Sequence, residues 1–129
     1  KIALKLKDFP PKGQWIDFPC CVFAANRYAI KEHPEVMKGM VTLLTYSANW
    51  TQKNRTAAAP ILAGIIGIPE EVVKKAELVF TTKPTKHWLE GEALYVKMLN
   101  ELGIFEGDMK GKSFEEVKRD LFNFQFISN

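Results

Sequence analysis

Hydrophobic residues along this chain follow two periods. Near the start, Ile2, Leu4 and Leu6 alternate with Ala3 and Lys5, and Cys20-Cys21-Val22-Phe23-Ala24-Ala25 is apolar without a break. Alternation predicts a strand over residues 2–6 with one wetted face. The unbroken run predicts a second strand over residues 18–25, covered on both faces as in the interior of a sheet. Asp8-Phe9-Pro10-Pro11-Lys12-Gly13 lies between them as a turn-rich crossing, because proline brings no ladder donor.

From Asn26 onward the period changes to that of a helix. Asn26 is expected to cap a short helix over residues 27–32, and His33-Pro34-Glu35 to open the longest one. Proline suits a first turn, whose N–H groups have no intrahelical partner, and a glutamate there complements the positive end of the dipole. Met37, Met40, Val41, Leu44 and Ala48 recur at steps of three and four, predicting one buried stripe that ends near Lys53. A helix over residues 57–66 should follow, capped by Asn54 or Thr56, carrying Pro60 near its first turn and stopping at Gly67. Pro69-Glu70-Glu71 opens another to about Leu78, and residues 79–86 read as loop. Residues 88–102 are again helical, with Leu89, Ala93, Val96, Leu99 and Leu102 inward and Gly103 as the stop. Ser113 and Glu116 form a capping box for a last helix to about Leu121. Phe122, Phe124, Phe126 and Ile127 make an apolar tail that should dock on the body.

Two short strands cannot cover so many helices. The chain is therefore expected to be the C-terminal piece of a larger α/β protein, and its composition supports a core: 47% of its 129 residues are hydrophobic. The formal charge of +3 is spread without blocks, which argues against a nucleic-acid footprint. Lys5, Lys7 and Lys12 form a small basic group that reads as a solvated strand edge. No apolar stretch approaches the ~18 residues needed to span a bilayer, and nothing at the N-terminus resembles a targeting sequence. Cys20 and Cys21 are adjacent, which disfavours a disulfide between them, and they read as small buried thiols.

The usual catalytic patterns are missing: no phosphate-cradling glycine motif, no metal-spaced Cys/His set, no nucleophile elbow. His33 and His87 each stand at a helix start and read as capping or surface residues. Glu70-Glu71 and Glu115-Glu116 fall in first helical turns, where the dipole explains them. The sequons Asn49-Trp50-Thr51 and Asn54-Arg55-Thr56 matter only in a eukaryotic secretory setting. What remains is the crossing Gln14-Trp15-Ile16-Asp17-Phe18-Pro19-Cys20, where an aromatic ring, an acid and a proline turn precede a buried strand and could line a cleft. Ordinary packing of Trp15 and Phe18 is the alternative.

Read in order, Pro19-Cys20-Cys21-Val22-Phe23-Ala24-Ala25-Asn26-Arg27-Tyr28, His33-Pro34-Glu35-Val36-Met37, Ala48-Asn49-Trp50-Thr51-Gln52-Lys53-Asn54, Gly67-Ile68-Pro69-Glu70-Glu71-Val72-Val73 and the late Leu102-Gly103 resemble one family. It is that of the substrate-binding proteins of ABC importers in the nitrate, sulfonate, taurine and thiamine-precursor group, and the resemblance covers about residues 17–127.

The resemblance implies an α/β fold, a partial periplasmic-binding-protein-like (type II) lobe that is mostly helical with a few strands. Residues 1–17 would be the end of lobe two and the crossing segment; residues 18–129 would be the return strand and the C-terminal helices of lobe one. It implies a module without catalysis or cofactor that captures a small solute outside the membrane for an ABC permease. The full-length protein would be periplasmic or extracellular, anchored as a lipoprotein. Trp15, Asp17, Pro19 and Cys20 are expected to face the solute: Trp15 by stacking or shape, Asp17 by hydrogen bonding, Pro19 and Cys20 through their backbone. An acid at Asp17 fits a cationic or amine-bearing solute. Helices that lack their covering strands should make this chain self-associate or exchange strands. Two rivals are a thiamine-pyrimidine-synthase-like enzyme on the same fold, suggested by Cys20-Cys21, and a purely helical interaction domain, which predicts little strand.

Overall fold

The structure is a computed structural model that describes residues 5–16, 21–76 and 79–127. Six α-helices account for most of them: α1 (Arg27–Glu32), α2 (Pro34–Lys53), α3 (Arg55–Ile66), α4 (Glu70–Lys75), α5 (Lys86–Glu101) and α6 (Phe114–Leu121), with 3₁₀ turns at Leu6–Asp8 and Gly107–Met109. Packing divides the chain into two units. One comprises Ala25–Thr82 and Phe126–Asn129, the other Lys1–Ala24 and Lys83–Gln125.

The expected α/β class is not what forms: the described residues are helical and contain no strand. Residues 2–4 and 18–20 of the two anticipated strands lie outside the described residues. Of the remainder, Leu6 opens a 3₁₀ turn in which the Asp8 amide donates to the Lys5 carbonyl at 2.9 Å, and residues 21–25 have no regular structure. The reason is local. A helix satisfies its backbone groups within itself, whereas a strand needs a neighbour, and Val22 and Phe23 are exposed instead of lying in a sheet.

Helix ends in the α1–α4 unit follow from side-chain chemistry. The Ala29 amide donates to Asn26 Oδ1 at 2.7 Å, closing the first turn of α1. Pro34 and Glu35 start α2. Gly67 ends α3 with φ 78°, a left-handed conformation that suits a residue without Cβ. Pro69 stands at the N-cap of α4, with Glu70 and Glu71 in its first turn. Helix α3 begins two residues earlier than the pattern suggests, so Pro60 lies in its interior and withholds the donor that would meet the Thr56 carbonyl. Helix α4 is shorter than expected and ends at Lys75.

The core of this unit is small. Ala59 and Ala63 of α3 are buried against Val73 of α4, with Leu62 packed beside them. Alanines bring the two axes close, and that contact fixes α4 on α3. The expected stripe on α2 is buried at one position: Met37 is 5% exposed, Val41 and Ala48 are half-buried, and Met40 and Leu44 are exposed. Val36, Leu43, Ile61, Ile65 and Ile66 are exposed as well. The apolar arc on α2 is thus covered at Met37 and in part at Val41 and Ala48, and the rest of it stays exposed.

In the other unit, Thr85 Oγ1 accepts from the Trp88 amide at 3.0 Å and starts α5 at Lys86, and Gly103 leaves that helix with φ 68°. Val96 and Gly91 face inward on α5, and Val117 on α6, while Leu102 is exposed, contrary to the pattern. The apolar tail docks in part: the Phe122 ring lies 5.6 Å from Trp88, 6.1 Å from Phe114 and 6.0 Å from Phe124, centroid to centroid. Among the described residues no helix is long and apolar enough to cross a membrane.

Burial predicts an asymmetry on α2. Met37→Ala should lower the unfolding free energy by about 2 kcal/mol through loss of packed methylenes, and Met40→Ala by under about 0.5 kcal/mol. Urea denaturation followed by circular dichroism reads both.

Candidate functional site

Of the four solute-facing residues expected from sequence, Asp17, Pro19 and Cys20 lie outside the described residues. Trp15 is half-buried in the crossing segment, where its Nε1 donates to the Pro10 carbonyl at 3.1 Å. That bond holds the indole across its own proline turn. Cys21, expected to be buried, is an exposed thiol in the irregular segment before α1.

The histidines occupy helix starts as expected. His33 stands between α1 and α2 without a side-chain capping bond, its ring edge-on to Tyr28 at 5.9 Å. His87 Nδ1 lies 3.3 Å from Glu90 Oε2 one turn along α5, an ion pair only when the imidazole is protonated. No group of three or more His, Cys, Asp or Glu side chains among the described residues could hold a metal ion.

Two concavities bring polar groups together, one in each unit. The first is a shallow groove between α5 and the start of α6, lined by Val96, Asn100, Lys112 and Phe114 among others. Asn100 dominates it. Its Nδ2 donates to the Lys112 carbonyl at 2.9 Å and the Val96 carbonyl at 3.1 Å, and its Oδ1 accepts from the Gly111 amide at 2.7 Å. Those bonds use both amide protons and one lone pair on the backbone, so the residue ties Gly111 and Lys112, in the loop ahead of α6, to α5. Next to it Lys112 Nζ meets Asp120 Oδ2 at 2.7 Å, and Ser113 and Glu116 close the expected capping box. This is structural chemistry.

The second concavity is a cleft of about 360 Å³ enclosed by the end of α2, the first turns of α3, α4 and Phe80. Thr51, Gln52, Arg55, Thr56 and Lys74 supply its polar lining, and Ala58, Leu62, Val73, Ala76 and Phe80 its apolar floor. Gln52 Nε2 donates to the Phe80 carbonyl at 2.8 Å, which ties Phe80 to the end of α2. Of the two caps expected for α3, Asn54 or Thr56, it is Asn54 that stands at the N-cap, but without a side-chain capping bond: its Nδ2 turns back to donate to the Trp50 carbonyl at 2.9 Å. Sequence reasoning passed over this cleft. The signal was Arg55, a basic residue at the first position of a helix, where the macrodipole disfavours positive charge.

Comparison of the chain with protein-family models, with curated proteins and with solved structures finds no match.

The titrating groups of the α5–α6 unit set an acid limit. Hydrogen bonds from the Ser113 hydroxyl and amide hold the Glu116 carboxyl below its ordinary range, and the Lys112 ammonium does the same for Asp120. Burial pushes Glu92 on α5 the other way. A depressed carboxylate contributes stability that is present above its unfolded pKa and lost as pH falls through the folded value. Glu92, raised by burial, stabilises the fold more once protonated and so opposes that loss. Two bonded carboxylates against one half-buried acid should let the loss prevail. Thermal melts between about pH 6 and pH 2 should show falling stability, and Ser113→Ala should cost about 1 kcal/mol near neutrality and flatten the acid limb.

Proposed function

We propose that this chain belongs to the solute-binding component of an ABC importer, of the kind that captures nitrate, sulfonates, taurine or thiamine precursors and delivers them to a permease. In this reading the full-length protein works outside the cytoplasmic membrane, in the periplasm or held at the surface by a lipid anchor, and carries out no chemistry. The observation that carries the reading is the ordered set of residues from Pro19 to Gly103. Its helix-starting and helix-stopping members stand at helix ends: Pro34 opens α2, Gly67 closes α3, Pro69 caps α4 and Gly103 follows α5. The uncovered apolar residues of α2 and α3 add support, since helices of this kind need an apposed layer that the rest of a larger protein would supply.

A second reading draws on a different observation. All regular structure among the described residues is helical, as in a helical interaction module, and the same exposed apolar side chains would then meet a partner, in the chain alone a second copy. A thiamine-pyrimidine-synthase-like enzyme draws on the adjacent Cys20 and Cys21 and on no geometry among the described residues.

Equilibrium dialysis against nitrate, taurine, alkanesulfonates, pyrimidines and polyamines separates these readings. Solute capture requires saturable one-to-one binding of one class, weakened about tenfold or more by Trp15→Ala with helical content unchanged. Folded protein that binds none of the five overturns it. Concentration-dependent dimerisation in light scattering, without solute binding, would favour the interaction module.

A further inference from the structure

The cleft between α3 and α4 has a chemistry of its own, apart from the crossing segment that holds Trp15. Among the described residues its polar lining includes two cations, Arg55 and Lys74, two hydroxyls, Thr51 and Thr56, the Gln52 amide, and no acid. The positive end of the α3 dipole opens there, and Asn54, which would normally offer that first turn an oxygen, donates to α2 instead. Beneath this rim lie Ala58, Leu62, Val73, Ala76 and Phe80, of which Ala58 and Val73 are buried. At about 360 Å³ the space is in the range of small-molecule sites.

We propose that this cleft binds a small amphiphilic anion, a carboxylate with a short hydrocarbon tail: the head group meets Lys74, Arg55 and the first turn of α3 while the tail covers Val73 and Phe80. Each part of the assignment has a physical reason. Cationic side chains, hydroxyls and helix N–H groups together favour an acceptor-only, negatively charged head. The floor offers no polar partner to a tail, so burial of methylenes drives it in. Lys74 is also paired with Glu70 along α4, at the surface, where such a pair is weak and an incoming carboxylate can compete for the ammonium. The inference goes beyond the transport reading and stands without it.

The test is a titration of the full chain followed by ¹H–¹⁵N correlation spectra, with hexanoate, acetate and hexylamine as probes. Hexanoate should shift the amides of Thr56, Ala58, Val73 and Phe80 saturably and bind at least about tenfold more tightly than acetate, because its tail adds buried methylenes. Hexylamine should leave those amides in place. Lys74→Gln, a change at a half-exposed position, should weaken hexanoate about three- to tenfold, and in the unsubstituted protein added sodium chloride should weaken it too. The proposal is overturned if hexanoate leaves these amides unmoved, if hexylamine binds as well as hexanoate, or if binding ignores both Lys74→Gln and salt. Failure here leaves the transport reading standing, since a solute lost on Trp15→Ala and kept on Lys74→Gln bears on that reading alone.

Discussion

The contact of Ala59 and Ala63 with Val73 carries the architecture of the α1–α4 unit. Alanine on both turns of one face lets α4 lie close to α3, and the apolar area removed from water there is the main tertiary gain that orders three residues of turn and a six-residue helix. A helix as short as α4 would not persist alone in water. Once it is held, Ala76 and Phe80 are carried across the end of α2, Gln52 reaches the Phe80 carbonyl, and a cleft exists. The most chemically defined concavity of the unit is thus a consequence of the small side chains packed at its floor.

The α5–α6 unit reaches order by a different route. Its apolar core is thin, Val96 and Val117 with the Phe122 ring among Trp88, Phe114 and Phe124, and polar bonds do much of the positioning. Asn100 links α5 to the loop ahead of α6, and the capping box then fixes where α6 begins. Hydrogen bonds of this kind specify geometry strongly while contributing modest net stability, since each replaces bonds to water. Carboxylates that depend on those bonds link that geometry to pH.

Function remains tied to sites, because a layer of helices hosts many unrelated activities. What distinguishes this one is the breadth of its uncovered apolar surface on α2 and α3, with Leu43, Ile61 and Ile65 all more than half exposed. Exposure on that scale is more common at surfaces that bind a partner than elsewhere. Transport and interaction readings both account for it, and they differ in what the crossing segment around Trp15 does.

Helix ends were legible in the residues themselves. Asn26, Gly67 and the Ser113–Glu116 pair act through bonds to backbone three or four residues away, and Pro34 by lacking a donor in a first turn that needs none, so neighbours in the chain suffice to read them. The strands were misread because alternation and apolar runs describe only what a segment could bury, and a ladder needs a second segment beside it. Met40 and Leu44 share the periodicity of Met37, yet Met37 alone among them is buried, since period defines a face and only packing decides which flank of it is covered. The cleft was beyond reach for the same reason: Gln52, Arg55, Lys74 and Phe80 are spread over some thirty residues, and their meeting depends on the closeness of α3 and α4. Local chemistry, acting over one helical turn, was therefore set by the sequence alone, while burial and convergence, which depend on contacts between distant segments, were decided by the tertiary structure.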